Sequence, residues 1–268
     1  MSSPKKRRFG CLLIPLALII LYYGAYFLLR GPRPADPQFI AHRGGDVTTP
    51  ENTLAAFQNA IDLGANYIEF DVQMSVDGHL IVIHDDTVDR TTNGTGLVSE
   101  MTLDQIRALD AGDGERVPTF EEVIQLAKDN QVEILPEAKS PALYPGMPAK
   151  MVALVEEMDY LDHTVFQSFV LTALDEMRVA NVDVATCRLF GLWKFDLSEP
   201  SSADYVCPMA EMVLLNPWMV RAAHQRGQEV YIWFGVIEHP LTMRLMFAFG
   251  ADGVMVDNPL ALKKIMNR

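Results

Sequence analysis

The sequence predicts an α/β protein built as a TIM-type (β/α)8 barrel. Short apolar segments rich in Val, Ile, Leu or aromatic residues alternate with segments of helical periodicity over roughly 230 residues. Eight strands that alternate with helices are typical of a closed parallel barrel. The strand candidates are residues 39–41, 67–73, 80–84, 132–137, 164–167, 184–189, 230–234 and 253–256.

Several predicted helices carry explicit start and stop signals. Thr102 with Gln105, and Thr119 with Glu122, have the spacing of capping boxes. The predicted helices over 52–63, 217–226 and 240–249 are each followed directly by glycine, the residue that most often ends a helix.

One connection breaks the alternation. Residues 74–79 join the second strand candidate to the third, and a parallel crossover needs about a dozen residues or more. Asp77-Gly78 within it suits a hairpin turn. Either these two strands are antiparallel or the barrel has lost one helix, and the residues alone leave both open. The turn-rich segment 90–116 is a small insertion after the third strand, which we expect to form a lid or wall.

The N-terminal segment predicts a membrane anchor. Residues 9–29 are uncharged and mostly apolar, enough for a helix of roughly 31 Å. The basic residues of the tail 1–8 indicate a cytoplasmic N-terminus, with 30–37 as a linker and the barrel domain 38–268 on the extracytoplasmic side. A cleaved signal peptide is the alternative, disfavoured because the apolar run is long and lacks a small-x-small site.

Charge excludes one class of partner. Residues 34–268 carry 16 basic and 35 acidic residues, a net charge of −19, so nucleic acid would be repelled. The two cysteines of this domain, Cys187 and Cys207, either pair in an oxidising compartment or remain separate thiols, and we expect separate thiols.

Acidic residues at strand ends predict a metal site. Glu69 and Asp71 lie two residues apart on one strand face, about 7 Å along the strand. Glu137 ends another strand and Lys139 follows it two residues later. A hard cation relieves the repulsion between adjacent carboxylates, and a lysine can meet a phosphate oxygen. Solvated acids and a surface ion pair are the structural alternatives.

Two histidines also follow strands. His42 ends the first strand candidate and precedes Arg43 and two glycines, whereas His84 ends the third and precedes Asp85. Barrels place their chemistry at the carboxyl ends of strands, and an adjacent acid can orient an imidazole for proton transfer. Either histidine alone is more often structural. The combined set of a metal, an arginine and two imidazoles suits cleavage of a phosphodiester.

On these residues the chain resembles the glycerophosphodiester phosphodiesterase family. The resemblance covers nearly all of 38–260 and is dense in the first hundred residues. The matching motifs are His42-Arg43-Gly44, Pro50-Glu51-Asn52-Thr53, Ile68-Glu69-Phe70-Asp71-Val72, Asp77-Gly78, His84-Asp85, Arg90-Thr91-Thr92-Asn93-Gly94-Thr95-Gly96, Leu109-Asp110-Ala111-Gly112 and Pro118-Thr119-Phe120-Glu121-Glu122-Val123.

The resemblance implies metal-dependent hydrolysis of glycerophosphodiesters to glycerol 3-phosphate and an alcohol, in phospholipid metabolism. It also implies a barrel that lacks one helix, between the second and third strands. The residues it assigns are Glu69, Asp71 and Glu137 as ligands of one Mg²⁺ or Ca²⁺, His42 and His84 as the acid–base pair, Arg43 and Lys139 as phosphate contacts, and Glu51 as a supporting residue.

Two departures from the family pattern concern the substrate and one strand. Pro136 stands where the family more often has an apolar residue, and Trp233 is retained without the asparagine that usually follows three residues later. Phe234 and Ile237 make that wall more apolar. The alternative substrate is therefore a membrane lipid, cleaved by a lysophospholipase D-type or phospholipase-type activity. Between the two histidines, we favour His42 as base and His84 as acid.

Overall fold

The computed structural model describes residues 10–45, 48–197 and 202–266, with side chains from residue 14 onward. Within these residues the chain forms nine strands. They are β1 (Gln38–Ala41), β2 (Tyr67–Met74), β3 (Leu80–Val82), β4 (Glu133–Ala138), β5 (Val165–Ser168), β6 (Ala185–Phe190), β7 (Tyr205–Pro208), β8 (Glu229–Trp233) and β9 (Gly253–Val256).

Ten α-helices accompany the strands in the described part of the chain. They are α1 (Gly10–Leu29), α2 (Leu54–Asp62), α3 (Leu103–Arg107), α4 (Phe120–Asn130), α5 (Met147–Glu157), α6 (Leu171–Ala180), α7 (Ala210–Leu215), α8 (Trp218–Gln225), α9 (Pro240–Ala248) and α10 (Pro259–Met266).

Eight parallel strands close into a barrel, as predicted. The sheet order is β1-β9-β8-β7-β6-β5-β4-β2-β3, and parallel pairing of β1 with β2 closes it. The carboxyl ends of the eight barrel strands meet at one end, which we call the mouth. The sequence prediction missed β7, because its four residues run through Pro208 directly into the apolar helix α7.

The third predicted strand lies outside the barrel. β3 pairs antiparallel with β2, with Val72 opposite Val82 and Met74 opposite Leu80. The short connection 74–79 is thus a hairpin, and the next barrel strand, β4, is preceded by α3 and α4. The expectation of a helix missing between the second and third strands was therefore wrong. Among the described residues, the connection without a helix joins β6 to β7 (191–204, with 198–201 outside the description).

The predicted helix signals are confirmed. Thr119 accepts a hydrogen bond from the backbone of Glu122, whose side chain accepts one in return, and the Thr102 box closes in the same way. Because each box satisfies two backbone N–H groups that the helix leaves free, it fixes where the helix begins. Gly64 follows α2 at φ +92°, a left-handed conformation that favours glycine.

Two apolar layers hold the barrel together. One lies between the strands and the surrounding helices and includes the aromatic contact of Phe70 with Phe57 and Phe120. The other fills the barrel interior below the mouth, and its buried members are Ile40, Tyr67, Leu135, Val165, Cys187, Leu189, Cys207, Tyr231 and Met255.

Cys187 on β6 and Cys207 on β7 form a disulfide inside the barrel, with Cα atoms 6.2 Å apart. The expectation of separate thiols was wrong. Both side chains point into the interior from adjacent strands, and the missed strand β7 is what brings them together.

The insertion 90–116 folds against β3. Its buried residues Val98, Ile106 and Ala111 form a small apolar cluster with Ile81 and Ile83. The segment thus makes a wall beside the mouth, where a Cβ on Gly112 would lie 2.9 Å from Pro50.

Helix α1 packs its last turns on the outside of the barrel. Tyr26 is fully buried against Trp218 and Phe249 and donates a hydrogen bond to the Phe249 carbonyl. In the part of the chain that the structure describes, no helix is both long and apolar enough to cross a membrane. The prediction of a transmembrane helix over 9–29 is therefore not confirmed, and the basic tail 1–8 with residue 9 lies outside the described residues.

Candidate active site

Three carboxylates meet inside the barrel mouth. Glu69 and Asp71 lie on β2, and Glu137 lies directly opposite Asp71 on the neighbouring strand β4. All three side chains are buried, and one oxygen from each lies within 4.8 Å of the others. Alternation along β2 puts Glu69 and Asp71 on the inner face, while Ile68 and Phe70 pack outward.

Burial and mutual repulsion raise the pKa of two of these acids, Glu69 and Glu137. Burial, together with the charge of Asp71, raises the pKa of Glu69 to about 7 and that of Glu137 to about 8. Asp71 is buried as well, but the charges of Arg43 and Lys139 outweigh this and lower its pKa.

The trio fits a divalent cation. Among the described residues no group donates a hydrogen bond to Asp71 Oδ1, although the atom is buried and Lys139 Nζ lies 3.7 Å away. A buried carboxylate oxygen without a donor is expensive unless something positive approaches it. A cation held by Glu69, Asp71 and Glu137 would supply that charge with the oxygen ligands that Mg²⁺ and Ca²⁺ prefer.

Two cationic side chains stand beside the carboxylates. Arg43 Nε lies 3.3 Å from Asp71 Oδ2, and its Nη1 donates to Glu51 Oε1 at 3.1 Å. Lys139 Nζ lies 3.2 Å from Glu137 Oε1. Both lie at the pocket and are partly exposed, so each can reach an anionic ligand there.

His42 is oriented by an aspartate that the sequence analysis missed. Its Nδ1 forms a hydrogen bond of 2.5 Å with Asp257 at the end of β9, and Nε2 faces Glu69 Oε2 at 3.9 Å. Burial alone would lower the pKa of His42, but Glu69 and Asp257 outweigh it and raise the pKa to about 9. The Glu238 carboxylate accepts hydrogen bonds from the backbone of Asp257 and Asn258, which fixes that loop.

His84 belongs to a charged chain that reaches across the mouth. Its Nδ1 bonds Asp85 Oδ1 at 2.6 Å, as the sequence predicted. Arg90 of the insertion donates to Asp85 (Nε, 2.7 Å) and to both oxygens of Glu51 (2.8 Å each), and Glu51 in turn holds Arg43. Burial, with the charges of Arg43 and Lys139, lowers the pKa of His84.

The backbone after β1 adopts left-handed conformations and packs closely, which explains the two glycines there. Gly44 and Gly45 adopt φ of +79° and +88°, and a Cβ there would lie 2.8 Å from Ala56 and 2.5 Å from Pro259. Close packing against Ala56 and Pro259 therefore requires glycine at both positions. Asn52, also left-handed at φ +56°, donates from Nδ2 to Asp71 Oδ2 at 2.9 Å and orients that carboxylate.

The pocket between these groups has a volume of about 140 Å³ and two unlike walls. Charged and polar side chains form one wall. The other is apolar and consists of Phe169, Leu189, Trp233 and Met255. Phe169 and Trp233 meet edge to face at 5.8 Å between ring centroids.

The structure brings all eight predicted site residues to the mouth. The prediction missed the site residues Asp257 and Gln167, and it assigned no role to Asn52 or Arg90, although both lie in the motifs that carry the resemblance. Gln167 donates to Glu69 Oε1 at 2.8 Å from the end of β5. Like His42, Gln167 and Asp257 are polar residues at or just after the end of a barrel strand, which was the available signal.

Comparisons with known proteins point to one family. The model of the glycerophosphoryl diester phosphodiesterase family matches residues 42–261. A glycerophosphodiester phosphodiesterase of Caldanaerobacter subterraneus is 35% identical over 244 residues, which cover 85% of this chain and 97% of that protein. A glycerophosphodiester phosphodiesterase of Bacillus subtilis is 30% identical over 254 residues, 84% of this chain and 85% of that protein.

Solved structures are similar over the same region. The glycerophosphodiester phosphodiesterase of Agrobacterium tumefaciens superposes with a TM-score of 0.74 at 28% identity, over 85% of this chain and 99% of that one. A phosphodiesterase of Oleispira antarctica, solved in complex with the product sn-glycerol-3-phosphate, gives a TM-score of 0.74 at 25% identity, over 87% of this chain and 97% of that one.

Proposed function

This chain belongs to the glycerophosphodiester phosphodiesterase family, a family of phosphoric diester hydrolases, and from that premise we propose that it hydrolyses glycerophosphodiesters to glycerol 3-phosphate and an alcohol. The reaction serves phospholipid metabolism, since such diesters are what remains when acyl chains leave a phospholipid. The product bound in the Oleispira antarctica relative supports glycerol 3-phosphate as the product here.

Glu69, Asp71 and Glu137 hold one divalent cation, Mg²⁺ or Ca²⁺, in this proposal. When bound, the cation acts as a Lewis acid that offsets negative charge on the phosphoryl oxygens. Arg43 and Lys139 add fixed positive charge on the same side of the pocket, so they bind the phosphate and stabilise the charge that builds up in the transition state. Glu51 supports them by holding the Arg43 guanidinium.

His42 and His84 transfer the protons. One takes the proton of the attacking hydroxyl, from water or from the 2-hydroxyl of the glycerol, and the other gives a proton to the leaving alcohol oxygen. Asp257 and Asp85 bind the Nδ1 atoms, which leaves Nε2 of each ring for the substrate. Without a cation, the pKa of His42 is raised and that of His84 is lowered. This order disfavours His42 as the base, because a base must begin the reaction unprotonated. A cation on Glu69 would withdraw the charge that raises the pKa of His42, so that assignment stays a prediction.

The observation that carries the proposal is the cluster of three buried carboxylates, one oxygen of which lacks a donor, between two cationic side chains and two oriented imidazoles. We expect Glu69→Gln, or removal of divalent cations by a chelator, to lower release of glycerol 3-phosphate from glycerophosphocholine at least 100-fold. Full activity in chelator-treated protein would refute the metal-dependent reaction. Glu133→Gln, at the other end of β4, is the matched control and leaves turnover unchanged.

A second candidate substrate is a membrane lipid that keeps one acyl chain. The apolar wall of Phe169, Leu189 and Trp233 supports this candidate, because an acyl chain can pack against it. Turnover of glycerophosphocholine compared with that of lysophosphatidylcholine separates the two activities.

The extracytoplasmic location of the catalytic domain stays part of the proposal. The disulfide between Cys187 and Cys207 supports it, since disulfides persist in oxidising compartments and are rare in the cytosol. Attachment to the membrane through the apolar N-terminal segment is the corresponding prediction for the rest of the chain.

A further inference from the structure

Exposed apolar side chains stand on two loops at the mouth. Trp193, on the loop after β6, is 76% exposed, and Val236, on the loop after β8, is 82% exposed. Single exposed apolar residues are ordinary, but a group of them beside a site marks an interaction surface. We call this group the apolar collar; its loop members are Leu192, Trp193, Val236 and Ile237, and Leu215 at the end of α7 and Leu241 at the start of α9 complete it.

Helix α7 holds the two loops of the collar in place. The Glu211 carboxylate accepts backbone hydrogen bonds from Val236 and Ile237, at 2.7 Å each. The backbone N–H of Trp193 points to Met212 Sδ at 3.2 Å on the same helix. Because these contacts with α7 fix the backbone of each loop, the apolar side chains of the loops are held facing solvent.

Helix α1 extends the collar. Tyr22 donates to Asn216 Oδ1 at 3.0 Å, Tyr26 packs on Trp218 at the start of α8, and Arg221 in the next turn of α8 donates to the Leu29 carbonyl. α1 therefore runs beside α8 in the same direction, away from the mouth. Its earlier residues extend toward the mouth end over about 18 Å.

That earlier half of α1 is apolar on every side. No residue from Gly10 to Leu29 is charged, and the described side chains of residues 14–21 are all exposed. A protein groove covers one face of a helix, whereas lipid surrounds a helix that is apolar all round. An exposed tryptophan such as Trp193 is typical of the boundary between lipid and water.

We propose that the barrel sits with its mouth against a lipid bilayer, with the collar and the mouth-side half of α1 in the lipid. The active site then opens toward the membrane, and a lipid diester reaches it along the apolar wall of the pocket. The docking needs no chemistry from the site, whereas the lipid substrate rests on the function proposed above.

Fluorescence of Trp193 tests the docking directly. The full-length chain is mixed with phosphatidylcholine vesicles whose acyl chains are brominated, a quencher confined to the lipid. We expect the vesicles to carry the protein on flotation and to quench part of its tryptophan emission, and Trp193→Phe to lose that part. Flotation without quenching of Trp193 would mean that another face of the protein meets the membrane, and it would overturn the proposal. Failure of the protein to float with the vesicles would overturn it as well.

Turnover separates docking from catalysis. We expect Val236→Ser combined with Leu241→Ser to lower hydrolysis of lysophosphatidylcholine in vesicles about tenfold and to change hydrolysis of soluble glycerophosphocholine less than about twofold. The matched control is Val179→Ser with Val182→Ser, which removes two side chains exposed by 87% and 75% at the opposite end of the barrel. Equal loss on both substrates would overturn the docking role of the collar. If the unmodified chain cleaves neither diester, the proposed function fails, and the quenching result still decides the docking.

Discussion

At the residue scale, β9 carries an aspartate at each end, and each aspartate holds a histidine. Asp257 follows the strand at the mouth and bonds His42 Nδ1, whereas Asp252 precedes the strand at the opposite end and bonds His224 Nε2 at 2.7 Å. The local chemistry is the same. The first pair lies beside Glu69 and Arg43 at the mouth, so its position in the barrel is the reason why we propose a catalytic role for His42 and none for His224.

The comparison of the Asp257–His42 and Asp252–His224 contacts gives a prediction about Asp257. We expect Asp257→Asn to lower kcat roughly 100-fold, because the amide no longer fixes the His42 tautomer that transfers a proton. Asp252→Asn removes the same kind of contact far from the mouth and should change stability but leave kcat near that of the unmodified protein. Steady-state kinetics and urea unfolding on both variants make the comparison. Equal losses of kcat would contradict a positioning role for Asp257.

At the scale of elements, the insertion 90–116 contributes to the site through one side chain. Arg90 reaches Asp85 and Glu51, the carboxylates that hold His84 and Arg43. Its guanidinium holds the pKa of Asp85 well below the usual range, so this acid stays charged against the imidazole. The antiparallel strand β3 is the base on which this wall is built.

We therefore expect Arg90→Met to lower kcat/KM about tenfold or more, since His84 and Arg43 each lose the cation that fixes their carboxylate partner. Arg107 offers a matched control in the same insertion, where it pairs with both oxygens of Glu122 away from the pocket. Arg107→Met should cost stability and spare turnover. Kinetic constants and melting temperatures of the two variants test this, and normal kcat/KM in Arg90→Met would count against it.

At the scale of the whole molecule, burial of the carboxylates Glu69 and Glu137 lowers the stability of the folded protein at neutral and alkaline pH. The folded protein raises the pKa of Glu69 to about 7 and of Glu137 to about 8, from 4.5. A raised pKa means that the folded state holds these protons more tightly than the unfolded chain does. Their contribution is therefore fully present below about pH 4.5 and is lost as pH rises toward about 8.

Mg²⁺ or Ca²⁺ should reverse that loss. Ionised carboxylates bind a cation, so we expect the rise in melting temperature on adding metal to be larger at pH 8.5 than at pH 6. At a free metal concentration of 100 times Kd, the expected stabilisation is about 2.7 kcal/mol. Calorimetry in two buffers of different ionisation enthalpy should show proton release on binding at pH 6. Glu137→Gln is the control, with weaker binding and fewer protons released. A pH-independent rise in melting temperature would contradict the prediction.

The sequence by itself determined the alternation of strands and helices and the capped helix starts, and together with the family resemblance it predicted the eight candidate site residues from His42 to Lys139. The grouping of the carboxylates follows from local rules, because strand alternation puts Glu69 and Asp71 on one face and a barrel collects strand ends at one mouth.

Only the tertiary structure decided what depends on contacts between distant segments. It placed β3 outside the barrel, inserted β7 beside β6 so that Cys187 and Cys207 pair, and brought Asp257 to His42 across 215 residues. A short strand or a lone aspartate carries little local signal. Its role comes from the neighbour that closure of the barrel provides.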